Sequence, residues 1–147
     1  MRAVRATRRK FSVQDARGAI AVFGRWHYKG QPILYCASSL SLAVLEQRVN
    51  SVTFDEIRQD FHYSEIDLEG MEVERVSEEY FKEDWTGNFR ITQEFGTNWS
   101  KSGRSPILRV RSAILPVEWN YLINTAHPDF ARVRFSEHRP IPLDTRL

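Results

Sequence analysis

Apolar residues recur along this chain with two periods, and each period predicts a different kind of element. Met1 to Arg8 alternates weakly between apolar and basic positions, which predicts a first strand. Ser12 to Gly30 carries three glycines and no sustained period, the mark of a loop-rich segment. Behind Pro32, Ile33 to Ala37 is an apolar run of strand length. Ser38-Ser39 then supplies a hydroxyl that can accept an otherwise free helical N–H, so a helix is expected over Leu40 to Val49. On that helix Leu42, Leu45 and Val49 recur at three- and four-residue spacing and should face the core. Leu40, Ala43 and Val44 widen the stripe, and Glu46 lies at its boundary.

Further on, Phe61 to Leu68 has strand-like composition with polar interruptions, and Met71 to Val76 alternates as a half-buried strand at a sheet edge should. Asn88 can cap a helix in which Ile91, Phe95 and Trp99 fall at successive four-residue intervals, with Gly103 placed to close it. Strands are expected again over Ile107 to Leu115 and, at the end of the chain, Ala131 to Phe135. Pro116 to Pro128 between them reads as a site-forming loop with some strand. Helices interrupt strands throughout, with no internal repeat and no linker. The expectation is one mixed α/β (α+β) domain over residues 1–147.

Composition narrows this picture. A hydrophobic fraction of 41% with seven Gly and six Pro excludes disordered, collagen-like and low-complexity classes. Cys36 is the single cysteine, so neither an internal disulfide nor a zinc site of paired cysteines can form, and a reducing, cytoplasmic setting is expected. The basic start, Met1 to Lys10, is not followed by the apolar stretch of a signal peptide, and no segment has the length of a membrane span. Net charge is only +2 but unevenly spread. Arg2, Arg5, Arg8, Arg9 and Lys10 open the chain, whereas Asp55 to Asp84 holds twelve acidic and three basic residues, which predicts two electrostatically different surfaces.

General chemical motifs are absent: no zinc-ligand pair, phosphate-cradling glycine loop or nucleophile elbow occurs. Taken singly, an arginine beside a tryptophan reads as a surface cation–π pair, Glu46 as an exposed helix position and Ser112 as a strand or turn residue. Trp26, Trp99 and Trp119 read as core or cleft-wall residues, and His127-Pro128 as a turn. The basic start and the aromatics also allow a non-enzymatic nucleic-acid-binding module, which would track a phosphate backbone and stack bases.

Larger patterns point elsewhere. Gly24-Arg25-Trp26, Gly30, Pro32, Leu34-Tyr35, Ser38, Leu42-Ala43 and Leu45-Glu46 resemble the first half of a RES domain. Ser102-Gly103-Arg104-Ser105, Leu108-Arg109-Val110, Ser112-Ala113, Pro116, Glu118 to Leu122, Asn124 and His127 to Phe130 resemble its second half. The likeness includes the arginine, glutamate and serine after which that family is named, Arg25, Glu46 and Ser112, and is weak over Asn50 to Gly87. Phe23 departs from it where a second glycine commonly stands, and His27 where Asn is common.

What the resemblance implies is a fold similar to the ADP-ribosyltransferase toxins, with NAD as substrate and its nicotinamide–ribose bond attacked. Inorganic phosphate or water would accept the ADP-ribose, or the group would pass to a protein or nucleotide. It also implies an Xre-type antitoxin that blocks the active site and supplies any DNA contact. No metal or resident cofactor is implied. Under this reading Arg25 forks onto the pyrophosphate, Tyr35 stacks on nicotinamide, and Glu46 faces the positive charge that grows on the ribose. Ser112 and Asn120 would hydrogen-bond the ribose or carboxamide. Attacking phosphate needs a second anion site, for which His27, Lys29 and Arg109 are the candidate cations.

Overall fold

The weak alternation at the start of the chain becomes strand β1 (Arg2–Arg8), in which Ala3, Val4 and Ala6 are buried. The computed structural model describes residues 1–82 and 84–147. A five-residue helix, α1 (Arg17–Ala21), interrupts the glycine-bearing loop before β2 (Ile33–Ala37). Helix α2 (Leu40–Val49) follows, its start fixed by the Ser39 side chain, which accepts a 3.1 Å hydrogen bond from the Leu42 amide. A helix absent from the sequence reading, α3 (Phe54–Asp60), comes next. Thr53 and Glu56 close a reciprocal capping box on it, a signal present in the sequence as Thr-x-x-Glu.

The rest of the chain is β3 (Phe61–Asp67), β4 (Val73–Arg75), helix α4 (Phe89–Ser102), β5 (Ile107–Arg111), β6 (Trp119–Asn124), β7 (Arg134–Phe135) and β8 (Arg139–Pro140). Asn88 caps α4 through the Ile91 amide, and Gly103 ends it with a left-handed φ of 63°, both as expected. Among the described residues these strands form one eight-stranded sheet in the order β4-β5-β6-β2-β1-β3-β7, with β8 also on β3. Every ladder is antiparallel except β4 with β5, and β4 takes the edge place read from its sequence.

The structure changes the bounds of three expected segments. Ile107 to Leu115 stops at Arg111, because the Ser112 hydroxyl accepts the Ile114 and Leu115 amides and turns the chain. Pro116 to Pro128, read as a site-forming loop with some strand, contains the interior strand β6, whose Tyr121, Leu122 and Ile123 are buried between β5 and β2. The final strand read over Ala131 to Phe135 shrinks to Arg134–Phe135 behind a short 3-10 turn, and β8 follows it.

Helices α2 and α3 cover Val4, Ala6, Ala37 and Phe61 on one part of the sheet, while α4 covers Ile33, Leu108, Val110 and Leu122 on another. The two groups part where the sheet itself is thinnest. β1 pairs with β3 along its whole length, yet meets β2 at one register pair, Val4 and Ala37. The end of α2 overhangs this parting, so Val49, expected in the core, is 65% exposed and Leu45 is half-buried. Leu42, Ala43 and Val44 form the buried seam instead.

The basic and acidic segments meet in the fold. Basic β1 lies antiparallel to β3 in the acidic segment, and Arg2 pairs with Glu65 at 3.2 Å. Arg8 pairs with Asp60 at 2.8 Å and Glu56 at 3.7 Å, while Arg104 and Arg111 pair with Glu74 and Glu78. The fold thus brings opposite charges together at Arg2 and Arg8 of the basic segment, which breaks the cationic stripe that a nucleic-acid module would need.

Candidate active site

A cleft of about 540 Å³ opens where β1 and β2 part. This lies within the range of small-molecule sites. Arg25, Tyr35, Glu46 and Asn120, four of the five residues singled out from the sequence, line it together. They come from a loop, from β2, from the overhanging end of α2 and from the start of β6.

The loop that carries Arg25 is held from two sides. On one side, Tyr35 on β2 places its hydroxyl between the Trp26 amide, which donates to it at 3.1 Å, and Nδ1 of His27, 2.6 Å away. The other His27 nitrogen, Nε2, faces two carbonyls at 3.0 Å, those of Ala19 and Val22, which can only accept. Nε2 therefore carries the proton and Nδ1 accepts from the Tyr35 hydroxyl. Burial lowers the His27 pKa, partly offset by the two carbonyls, so the ring is neutral. Burial also pushes the Tyr35 phenol well above its ordinary value.

On the other side, α4 turns a polar face to this loop. Thr92 Oγ1 donates to the Arg25 carbonyl at 2.6 Å, Gln93 Nε2 donates to the Gly24 carbonyl at 3.0 Å, and Thr97 Oγ1 accepts from the Tyr28 amide at 2.9 Å. Gly96 sits against the Trp26 backbone, where a side chain would overlap the carbonyl oxygen. The buried residues of α4 are thus Thr92, Gln93, Gly96, Thr97, Trp99 and Ser100. Ile91, on the apolar series read from the sequence, is 48% exposed. The polar pairs and the mid-helix glycine were the available signal for this bracket.

Arg25 itself leans on the Phe89 ring, with 4.3 Å from guanidinium carbon to centroid, and donates to the Thr86 carbonyl at 2.6 Å. Burial lowers its pKa, and the charge of Glu46 works against that effect. Glu46 is raised from the ordinary carboxylate value, first by burial. Hydrogen bonds from Asn120 and Ser112, and the charge of Arg25, offset part of the rise.

Ser112 does not line the cleft. It is fully buried, donates to Glu46 Oε1 at 3.2 Å, and accepts the two turn amides beyond β5. Its geometry positions Glu46 and gives it no surface to offer a ligand. Asn120 lines the cleft and donates through Nδ2 to the Cys36 carbonyl at 3.4 Å.

The three cations considered for a second anion site do not converge here. His27 lines the cleft but is neutral and fully engaged, Lys29 is exposed on the loop, and Arg109 packs its guanidinium 3.9 Å over the Trp119 ring. The cation the sequence reading missed is Arg5. Its guanidinium lines the cleft and donates to the carbonyls of Val13 at 2.8 Å and Tyr35 at 2.9 Å, bridging the parted strands. Cys36 is buried and its thiol is pushed up to about 12, so it offers no nucleophile. Among the described residues no group of three His, Cys, Asp or Glu side chains could hold a metal ion.

Comparison with known proteins matches the chain to a family. The model of the RES domain matches residues 2–144. A protein of Photorhabdus laumondii named Toxin Res is 34% identical over 148 residues, covering 97% of this chain and 94% of its own. A Sphingobium protein named Prs ADP-ribosylating toxin is 32% identical over 145 residues, covering 95% and 90%. Among solved structures, the Mycobacterium tuberculosis MbcT–MbcA toxin–antitoxin complex contains a chain that superposes with a TM-score of 0.79. That match covers 95% of this chain and 83% of the other at 14% identity, a likeness of fold.

Proposed function

This chain belongs to the RES domain family, and from that premise and the cleft's geometry we propose that it is the toxin of a toxin–antitoxin pair and an enzyme that consumes NAD. The observation that carries the reading is Glu46, a half-buried carboxylate held by Ser112 at the cleft's edge, in a site whose other side presents Arg25. Breaking the nicotinamide–ribose bond sends its electron pair to nicotinamide and leaves positive charge on the ribose. A carboxylate fixed in a partly dry site stabilises that charge more than water does. Arg25 binds the pyrophosphate, and its contact with Phe89 keeps the guanidinium in place. Tyr35 offers its ring to nicotinamide while its hydroxyl holds the loop, and Asn120 takes the ribose or carboxamide.

Inorganic phosphate is the acceptor in this proposal. One of its oxygens bonds to the ribose carbon that nicotinamide leaves, giving ADP-ribose 1''-phosphate. The partner is an antitoxin of Xre type that blocks the cleft, and the setting is the cytoplasm. A second reading, transfer of ADP-ribose to a protein or nucleotide, is favoured by the name of the Sphingobium relative.

Mass-resolved products of NAD incubated with purified protein, with and without phosphate, test the proposal. Nicotinamide with phosphorylated ADP-ribose is the expected result. Plain ADP-ribose would assign hydrolysis, label incorporated into protein would assign transfer, and intact NAD beside folded protein would refute the enzyme.

A further inference from the structure

A second cavity, of about 430 Å³, lies away from the cleft, between the Arg9–Gln14 segment, β3 and the chain after β7. Its lining mixes the apolar Phe11, Val13 and Phe135 with polar and charged side chains. Two histidines meet in it: His62, 7% exposed, and His138, with ring centroids 4.7 Å apart at 45°. His62 Nε2 stands 2.8 Å from the Phe11 carbonyl, which can only accept, so this nitrogen carries a proton and the ring is held in one orientation.

The Ser64 hydroxyl, completely buried, lines the same cavity and has no hydrogen-bond partner. An orphaned buried hydroxyl is costly, and such a group calls for a partner that the protein itself does not supply. The local charge indicates the sign of that partner. Arg9 and Lys10 line the cavity with Glu137 as the one carboxylate. Arg2 and Arg8 are paired, whereas among the described residues Arg9 and Lys10 enter no ion pair. Two donor cations, a hydroxyl and imidazole edges suit a compact oxyanion, and the lack of a three-residue metal-binding group among the described residues argues against a cation.

We propose that this cavity binds a small phosphate-bearing ligand, free or as a terminal phosphomonoester, held by Arg9, Lys10 and the buried Ser64 hydroxyl beside the His62–His138 pair. The site is separate from the NAD reading and does not depend on it, because it shares no lining residue with the cleft.

The chain's four histidines make the test direct. Imidazole signals are followed by NMR at constant pH while inorganic phosphate or phenyl phosphate is added, with sodium chloride at matched ionic strength as control. Expected are saturable shifts of His62 and His138 with either phosphate and none with chloride, while His127 stays still and His27 reports separately on the cleft. Saturation by phenyl phosphate alone assigns a monoester site, and by both ligands a site for the phosphate group itself. The double variant R9A/K10A, altered only at exposed positions, should bind at least tenfold more weakly, and Ser64→Ala severalfold. Glu46→Gln should bind unchanged. No saturable shift at His62 and His138, or undiminished affinity in R9A/K10A, overturns the proposal, whatever the cleft does with NAD.

Discussion

Replacing Gly96 by alanine tests the idea that α4 sets the position of Arg25. A methyl group at Gly96 would overlap the Trp26 carbonyl oxygen and stand 2.8 Å from its carbon. Ordinary contact begins at 3.4 Å, so loop and helix must separate by at least 0.6 Å, against backbone that cannot swing aside. Overpacking of this kind costs about 1–3 kcal/mol. The separation also stretches the bonds from Thr92 to Arg25, Gln93 to Gly24 and Tyr28 to Thr97. Losing two of them adds about 1–3 kcal/mol. The expected total, about 2–6 kcal/mol, should lower the urea midpoint by roughly 1–3 M for a urea dependence of about 2 kcal/mol per M. Displacement of a positioning loop by a sizeable part of an ångström should reduce NAD turnover on the order of 100-fold in protein that is still folded. Gly87, which has nothing within 4 Å of an added methyl, is the control, and its alanine variant should stay within about 0.5 kcal/mol of the native chain. A Gly96→Ala protein with native midpoint and native turnover would refute the bracket.

Other expectations follow from the same contacts. Glu46→Gln should cut turnover by about 10²–10³-fold. Because burial raises the folded-state pKa of Glu46 above its ordinary 4.5, its protonation favours the folded state. That contribution is full below 4.5 and lost as pH rises through the folded value, so the Gln variant should show less loss of stability across this window in denaturation series. Ser112→Ala leaves the Ile114 and Leu115 amides without their acceptor and should cost about 1–3 kcal/mol. It also removes a bond that lowers the Glu46 pKa, so the acid limb of the pH–rate profile should move to higher pH. An unmoved limb would deny Ser112 its positioning role. Tyr35→Phe keeps the ring but frees the Trp26 amide and His27 Nδ1, so it should lose kcat and stability with little change in KM. Tyr35→Ala should raise KM as well if the ring carries the stacking.

Local signals served the sequence reading well where a side chain acts on its own neighbourhood. Ser39 and Asn88 as caps, Gly103 as a stop and Ile33 to Ala37 as a strand all follow from spacing within a few residues. Reading failed where the cause is tertiary. Val49 keeps its place in a helical series, yet the sheet beneath it has parted. β6 is irregular in pattern because its last four residues are buried on both faces. Trp119 and Asn120 before them are half-buried, Asn120 in the cleft wall and Trp119 under the Arg109 and Arg111 side chains. At the site, Arg25, Tyr35, Glu46 and Asn120 were legible from family likeness and come together. Arg5 was hidden among the basic residues of its strand, and the Thr92–Thr97 face was hidden because a polar helix surface ordinarily faces water.

The near-division of the sheet has a consequence for synthesis. Neither half is continuous in the chain: β1 and β3 are followed on their side by β7 and β8, while β2 must wait for β5 and β6. Arg25, Tyr35 and Glu46 leave the ribosome early, but the residues that hold and complete them, in α4, at Ser112 and at Asn120, emerge well after them. A nascent chain therefore carries Arg25, Tyr35 and Glu46 without their partners until Asn120 has been made. Long-range strand pairing of this kind is slow to close. Under the proposed reading, the cleft cannot act on its substrate until the strands that follow α4 have paired.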